Sequence, residues 1–332
     1  MALYAPEIIF FALWLGWWLD RRFGELPFWH PLVGYGSLVN WVERGLNPDS
    51  QPQGHSVSVA KKRFLGILAL LVALLPFITL MFCLIPETES GYLFWVHLVL
   101  QGGVLYFALG AKSLSQHLTQ IERPLLAGDL EQARFYVGWI VSRDTSDMDE
   151  MRVTRAAIES GLENGNDSAF AAVFWFLLAG APGVLLYRMA NTLDAMWGYK
   201  TERFLSFGWA TARFDDALNL VPARISALFY TLNSPYGTSG VKSGLRCWWK
   251  QGSDWESPNA GPVMAAGAGA LKVRLGGGDT YHGHWKERPI LGEGSPPQVK
   301  DLRAAEKLVE RVLLTWLVVG SIFVLAVGYL VS

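Results

Sequence analysis

The chain has 332 residues, of which 51% are apolar and 17% charged, with 15 Trp and a formal net charge of -1. Soluble chains average about a quarter charged residues, so this composition points to lipid, and the near-neutral charge gives no argument for a nucleic-acid partner. Two cysteines, Cys83 and Cys247, are too few for a disulfide framework or a cysteine-based metal site.

The first apolar run, Ile8–Leu19, is short, but Met1–Tyr4 extends it if Glu7 lies near the membrane surface. The basic pair Arg21-Arg22 follows this run instead of preceding it, which predicts an uncleaved first span and not a signal peptide. Gln51–Gly54 reads as an exposed turn. Phe64–Ile85, Tyr92–Ala111, Ser168–Tyr187 and Val312–Ser332 carry no Asp, Glu, Lys or Arg. A hydrocarbon core of ~30 Å takes ~20 helical residues, so each of these runs is long enough to span. Lys112–Leu126 places Leu114, Leu118, Ile121 and Leu125 at helical spacing, as in an amphipathic interfacial helix. Asp129–Ile140 predicts a second short helix. Gly237–Asp254 and Gly276–Gln298 are rich in Gly, Pro and Trp and read as loops. The expected fold is all-α: a polytopic helical integral membrane protein with about four to five membrane segments. It is expected to form one domain over 1–332, with polar segments 142–167, 188–232 and 255–285 inserted between membrane helices.

Segment 20–63 carries Arg21, Arg22, Arg44, Lys61, Lys62 and Arg63, whereas the connection 86–91 carries Glu87 and Glu89. The positive-inside rule makes the former cytoplasmic and the latter external. Segment 112–167 is then cytoplasmic again. A full crossing by Ser168–Tyr187 would put the basic segment 188–311 outside. Gly180-Ala-Pro-Gly183 in the middle of that run weakens a continuous helix. The run is therefore expected to be broken or re-entrant, or a further crossing lies within Phe204–Leu232.

Four polar blocks stand out. In the first, Ser142–Arg155 is followed by Glu159, Glu163, Asn164 and Asp167, and Asp147 or Ser146 is placed to N-cap a helix. Arg155, Glu159 and Glu163 share one helical face. They read either as a solvated face with ordinary ion pairs or as oxygen ligands of the kind Mg²⁺ shares with phosphates. The second block, Asn191-Thr-Leu-Asp194 through Tyr199, precedes Lys200 and Arg203. It is either a helix end closed by Gly198 or a set of oxygen donors to metal or amide beside a phosphate-binding pair. The third holds Arg213, Asp215, Asp216, Asn219 and Arg224 among apolar residues, and Pro222 is expected to break or kink it. Ionisable residues in such surroundings are functional candidates by default, and a divalent cation would relieve the repulsion between adjacent aspartates. The fourth runs Ser257-Pro-Asn-Ala-Gly261, then through Gly267–Gly278 to Tyr281. Its small residues suit either close helix packing or approach to a ligand. His282 and His284 flank Gly283; the pair reads as incidental rather than as metal ligands.

These blocks, in this order, resemble the CobD/CbiB family, the adenosylcobinamide-phosphate synthases of cobalamin biosynthesis. The resemblance rests on Arg143-Asp-Thr145, Arg155-Ala156, Glu159-Ser160, Glu163-Asn164, Asp167, Gly180-Ala-Pro-Gly183, Asn191-Thr-Leu-Asp194, Asp215-Asp216, Asn219, Pro222-Ala-Arg224, Ser257-Pro-Asn-Ala-Gly261 and Leu275-Gly-Gly277, with His30-Pro31 near the start. Two departures are Ser168, where the family usually has Gly, and Pro262-Val-Met264, where it often reads Trp-Pro-Glu.

The resemblance implies a ligase that joins adenosylcobyric acid to (R)-1-amino-2-propanol or its O-phosphate, with ATP as co-substrate and Mg²⁺. Under it Glu159, Glu163, Asp215 and Asp216 are the catalytic candidates, and Glu163, Asp167, Asp215 and Asp216 the metal candidates. Arg143, Asp144, Arg155, Asn191, Asp194, Arg213, Asn219, Arg224 and Asn259 are the substrate-binding candidates, the arginines as phosphate clamps. It places the chain in the bacterial inner membrane, in contact with lipid, with a cytoplasmic active site and other corrin-pathway enzymes as partners. Three other readings are a non-catalytic accessory or sensor protein like the AmpE-like relatives, another Mg²⁺-dependent membrane transferase, and a transporter.

Overall fold

A computed structural model describes residues 5–25, 31–50, 57–85, 91–281 and 283–331. Met1–Tyr4, His30, Gln51–Gly54, Glu87, Glu89 and His282 lie outside the described residues. Among those described are twelve α-helices: α1 (Pro6–Phe23), α2 (Pro31–Leu46), α3 (Val59–Leu84), α4 (Tyr92–Ala108), α5 (Ala111–Leu126), α6 (Leu130–Val137), α7 (Glu150–Gly165), α8 (Ala171–Trp197), α9 (Trp209–Leu232), α10 (Gly237–Gln251), α11 (Ala260–Leu271) and α12 (Val299–Val331). Among the described residues, four helical stretches are long and apolar enough to cross a membrane: Val59–Leu84, Tyr92–Leu126, Glu150–Trp197 and Val299–Leu330. Phe64, Leu71, Leu75 and Phe82 of α3 point outward, as expected of a helix whose solvent is lipid. The chain is an all-α polytopic membrane protein.

Backbone packing divides the chain into two compact units. The first comprises Met1–Leu109, Ala172–Leu218 and Val319–Ser332. Its core joins Val39 and Val42 of α2 and Ala69 and Ala73 of α3 with Leu193, Trp197 and Phe207. Helices α1 and α4 pack closely because small residues let them: Gly16 lies against Leu105, and Gly102 against Leu15.

The expected break in the third long run lies inside α8, at Ala179 (φ -141°, ψ 16°) and Gly180 (φ 62°). The positive φ at Gly180 is one that a residue bearing a Cβ adopts only with strain. A break at membrane depth frees backbone groups that water cannot satisfy. Here the Ala181 N–H donates to Oε1 of Gln101 on α4, 2.5 Å away and buried. Pro222, by contrast, does not interrupt α9, which runs unbroken from Trp209 to Leu232. Proline leaves the carbonyl four residues earlier without its helical donor, and Nε1 of Trp175 donates to that carbonyl of Leu218 over 3.0 Å. The expected break does not occur, and a side chain supplies the donor that the proline lacks.

The second unit comprises Gly110–Ala171 and Asn219–Val318. The amphipathic helix forms as expected: Leu114, Leu118, Ile121 and Leu125 are the buried apolar residues of α5. α6 begins at the N-cap Asp129. α7 is capped by Asp149, whose side chain accepts from the Arg152 N–H at 2.8 Å, and not by Asp147 or Ser146. Asp149 is the residue three before a free N–H, the geometry a cap needs.

The expected loop at Gly237–Asp254 is instead largely the helix α10, packed along α11. A Cβ on Gly269 would sit 2.8 Å from the Gly244 Cα, so glycine here serves close helix contact and not loop formation. α11 is buried throughout. Gly276–Gln298 holds two short antiparallel ladders, β1 (Leu275–Gly276) with β4 (Ile290–Leu291) and β2 (Asp279–Tyr281) with β3 (His284–Lys286).

Candidate active site

The predicted residues fall into both units. Arg143, Asp144, Arg155, Glu159, Glu163, Asp167, Asn219, Arg224 and Asn259 belong to the second, and Asn191, Asp194, Arg213, Asp215 and Asp216 to the first.

In the second unit, α7 carries Arg152, Arg155 and Glu159 on the side facing the Gly-rich strand pair. Glu159 is buried. Its carboxylate accepts from Arg143 Nη2 (2.8 Å), from Arg288 Nη1 (2.9 Å) and from the Gly276 N–H (2.8 Å). Asp279 is fully buried and accepts from Arg143 Nη1 (3.0 Å), from Arg155 Nη2 (3.2 Å) and from Arg152. Arg155 also donates to the Gly278 carbonyl at 3.1 Å. Burial alone would raise the Asp279 carboxyl, but the hydrogen bonds and charges of Arg152 and Arg143 hold it below the usual carboxylate range. Burial likewise lowers the Arg143 guanidinium, but Glu159, with Tyr281 and Asp279, more than restores it. The terminal nitrogens of Arg143 are thus spent on carboxylates, and Arg155 donates to protein groups. Asp144 accepts from the Gly283 N–H at 2.7 Å and so holds the β2–β3 turn. Glu163, one turn beyond Glu159 and partly exposed, makes no hydrogen bond or ion pair among the described residues.

α7 ends in a single π-helical turn, Asn166–Phe170, a local widening often found at functional sites. Buried Asn166 donates to Asp167 (2.9 Å) and to Asn219 of α9 (3.0 Å), and accepts from Ser226 (2.9 Å). Arg224 donates to Oδ1 of Asn259 and to the Leu220 carbonyl. It lines a cleft of about 370 Å³ with Trp248, Trp249, Trp255, Pro258 and Pro262. Trp249 is 89% exposed. Met264, in the stretch that departs from the family pattern, is buried at 1% exposure inside α11.

In the first unit, Asp194 lies near the end of α8, and Asp215 and Asp216 on the first half of α9. Asn191 donates to Asp215 at 3.4 Å. Asp215 and Asp216 are within electrostatic reach of Asp194. Arg213 pairs with Asp216 at 3.7 Å but is 68% exposed. Burial raises the Asp216 carboxyl, and Arg213 and Lys200 oppose that rise.

Among the described residues no three His, Cys, Asp or Glu side chains cluster closely enough to hold a metal ion by themselves. Mg²⁺ is usually held by one or two carboxylates together with substrate phosphates, so its binding does not require three protein carboxylates.

The sequence reading passed over Asp279, Arg152 and Arg288, the partners that complete the buried network. Asp279 follows the glycine run directly, and an acidic residue there is the one signal that could have found it. Arg288 gave none, since nothing local links it to Glu159, 129 positions earlier.

Comparison with known proteins adds the following. The family described as CobD/Cbib protein matches residues 13–309. A "Cobalamin biosynthesis protein CobD" of Chromobacterium violaceum is 51% identical over 312 residues, covering 93% of this chain and 95% of the relative. One of Stutzerimonas stutzeri is 48% identical over 301 residues, covering 91% and 93%. Another, of Geobacter metallireducens, is 37% identical, covering 84% and 85%. No solved structure matches.

Proposed function

This chain belongs to the CobD/CbiB family, and we propose that it acts in cobalamin biosynthesis as the ligase that joins adenosylcobyric acid to (R)-1-amino-2-propanol or its O-phosphate through an amide bond. The observation that carries the reading is the concentration of Asp194, Asp215 and Asp216 beside Arg213 and Lys200, on the stretches that resemble the family.

A free carboxylate is a poor electrophile toward an amine, so amide synthesis needs prior activation. Phosphoryl transfer from ATP to the substrate carboxylate would supply it, and this transfer depends on electrostatic stabilisation. Asp194, Asp215 and Asp216, together with substrate phosphate oxygens, would hold Mg²⁺, which would neutralise charge on the phosphoryl group. Arg213 and Lys200, both exposed, would meet phosphate oxygens. The incoming ammonium must lose a proton before it attacks, and the amide forms as phosphate leaves the activated carboxylate. In the tryptophan-lined cleft, Arg224 and Asn259 would orient polar groups of a substrate.

Glu159, Arg143 and Arg155 are assigned to holding that unit together, since their charged groups are engaged with protein partners. The test is purified protein in detergent with adenosylcobyric acid, aminopropanol phosphate, ATP and Mg²⁺, read by mass spectrometry. Amide product that requires both ATP and Mg²⁺ is expected. Absence of product, with other enzymes of the pathway also supplied, would favour the accessory reading.

A further inference from the structure

α12 enters its apolar stretch at Val312, and the turns just before it carry Lys300, Arg303, Lys307 and Arg311. Their spacing of three, four and four puts them on one face, and all four are exposed. The same face continues as Leu314 and Val318, 45% and 48% exposed. The outward stripe therefore passes from basic to apolar within two turns, at the point where the helix begins its membrane-length run.

The stripe is not flat surface. The four cations line a groove of about 390 Å³ whose other wall is Glu122 and Leu126 of α5, with Pro235. Glu122 lies 3.6 Å from Arg303 and is the one carboxylate of that lining, so the groove holds four cations against one anion. Glu306 of the same helix is committed elsewhere, accepting from Ser115 of α5. Lys300, Lys307 and Arg311 have no carboxylate partner among the described residues. Leu126, 69% exposed, gives the rim an apolar edge.

We propose that this groove binds the headgroup of an anionic phospholipid of the surrounding bilayer, with the acyl chains lying along Leu314 and Val318. The chemistry matches on both counts. Phosphate oxygens accept from lysine and arginine without the groove having to close, and clusters of cations beside a membrane helix draw anionic lipid. A soluble anion would use the cations but not the apolar continuation of the stripe. The proposal rests on the membrane fold and is independent of the amide-forming reaction.

The experiment uses the full chain in a neutral detergent, titrated with phosphatidylglycerol, phosphatidylcholine or inorganic phosphate, with bound molecules counted by native mass spectrometry. Wild type is expected to retain phosphatidylglycerol in preference to phosphatidylcholine. The variant K300Q/R303Q/K307Q/R311Q is expected to bind phosphatidylglycerol at least about tenfold more weakly, and the charge-keeping K300R/R303K/K307R/R311K to keep it. Leu126→Glu, an exposed change that leaves the helix intact, is expected to weaken binding several-fold and serves if the fourfold variant does not fold. Equal retention of the two lipids by wild type, undiminished phosphatidylglycerol binding in the glutamine variant and in Leu126→Glu, or displacement of the lipid by equimolar inorganic phosphate would overturn the proposal.

Discussion

Two sets of carboxylates in this protein have opposite surroundings. In the second unit, Glu159 and Asp279 are buried, and every nearby cation is turned toward them: Arg143 bridges the pair, Arg288 adds to Glu159, and Arg152 and Arg155 add to Asp279. In the first unit, Asp194, Asp215 and Asp216 are partly or largely buried near one another, and the ion pair found among them is Arg213 with Asp216 over 3.7 Å. Burying a charge is tolerated when it is paired and hydrogen-bonded. The first set meets that condition with protein groups and so acts as structure. The second is the set that the proposed function assigns to Mg²⁺, in company with substrate phosphates. Family resemblance alone gives Glu159 the same standing as Asp215 and Asp216; their partners separate them.

The sharpest way to break this comparison is Glu159→Gln. It leaves Arg143 and Arg288 buried without their shared charge, and loss of one partner from a buried pair costs about 3–5 kcal/mol. Thermal unfolding in detergent should show a large fall in melting temperature, while an unchanged melting point would deny the network its structural role.

A smaller effect is expected where the two long-helix irregularities are satisfied. Gln101→Ala strands the buried Ala181 N–H at the α8 break, at about 1–3 kcal/mol. Trp175→Phe removes the donor to the Leu218 carbonyl, at about 0.5–1.5 kcal/mol. Both are readable by chemical unfolding, and equal losses would mean that the two sites do not differ in kind.

The most discriminating difference is in the pH dependence. Asp279 has its proton affinity lowered by folding, so its contribution is complete above the unfolded carboxylate value of about 3.9 and fades only as pH falls through the lower folded value. Asp216 is raised instead. Its ionised form costs stability once pH has risen through the folded value, and nothing below the unfolded one. Asp279→Asn should therefore destabilise at neutral pH. Asp216→Asn should stabilise slightly there, by less than about 1 kcal/mol because the group is part-exposed, and should do nothing in acid. Melting curves from pH 7 to about 2 would show both signs.

Much of this is written in local sequence. Long uncharged runs need no tertiary information to reveal membrane helices, and Leu114, Leu118, Ile121 and Leu125 declare the buried face of α5. Gly180 marked the break in α8, since no partner chemistry can hide a helix-weakening Gly-Ala-Pro-Gly. Failures came where a distant group decided the outcome. Pro222 sits in an unbroken helix because Trp175, 47 positions earlier by residue number, covers the freed carbonyl. Gly240 and Gly244 read as loop residues until α11 is there to pack against them. Local sequence does not tell which candidate residues are already saturated by protein partners. Arg143 resembles a phosphate clamp until Asp279 and Glu159 occupy its fork.

The most direct test of the proposed division is amide formation by Asp215→Asn set beside its melting temperature. The predicted result is a melting temperature close to wild type with product formation down by about a hundredfold or more. Product formed at the wild-type rate by a stably folded Asp215→Asn protein would contradict it.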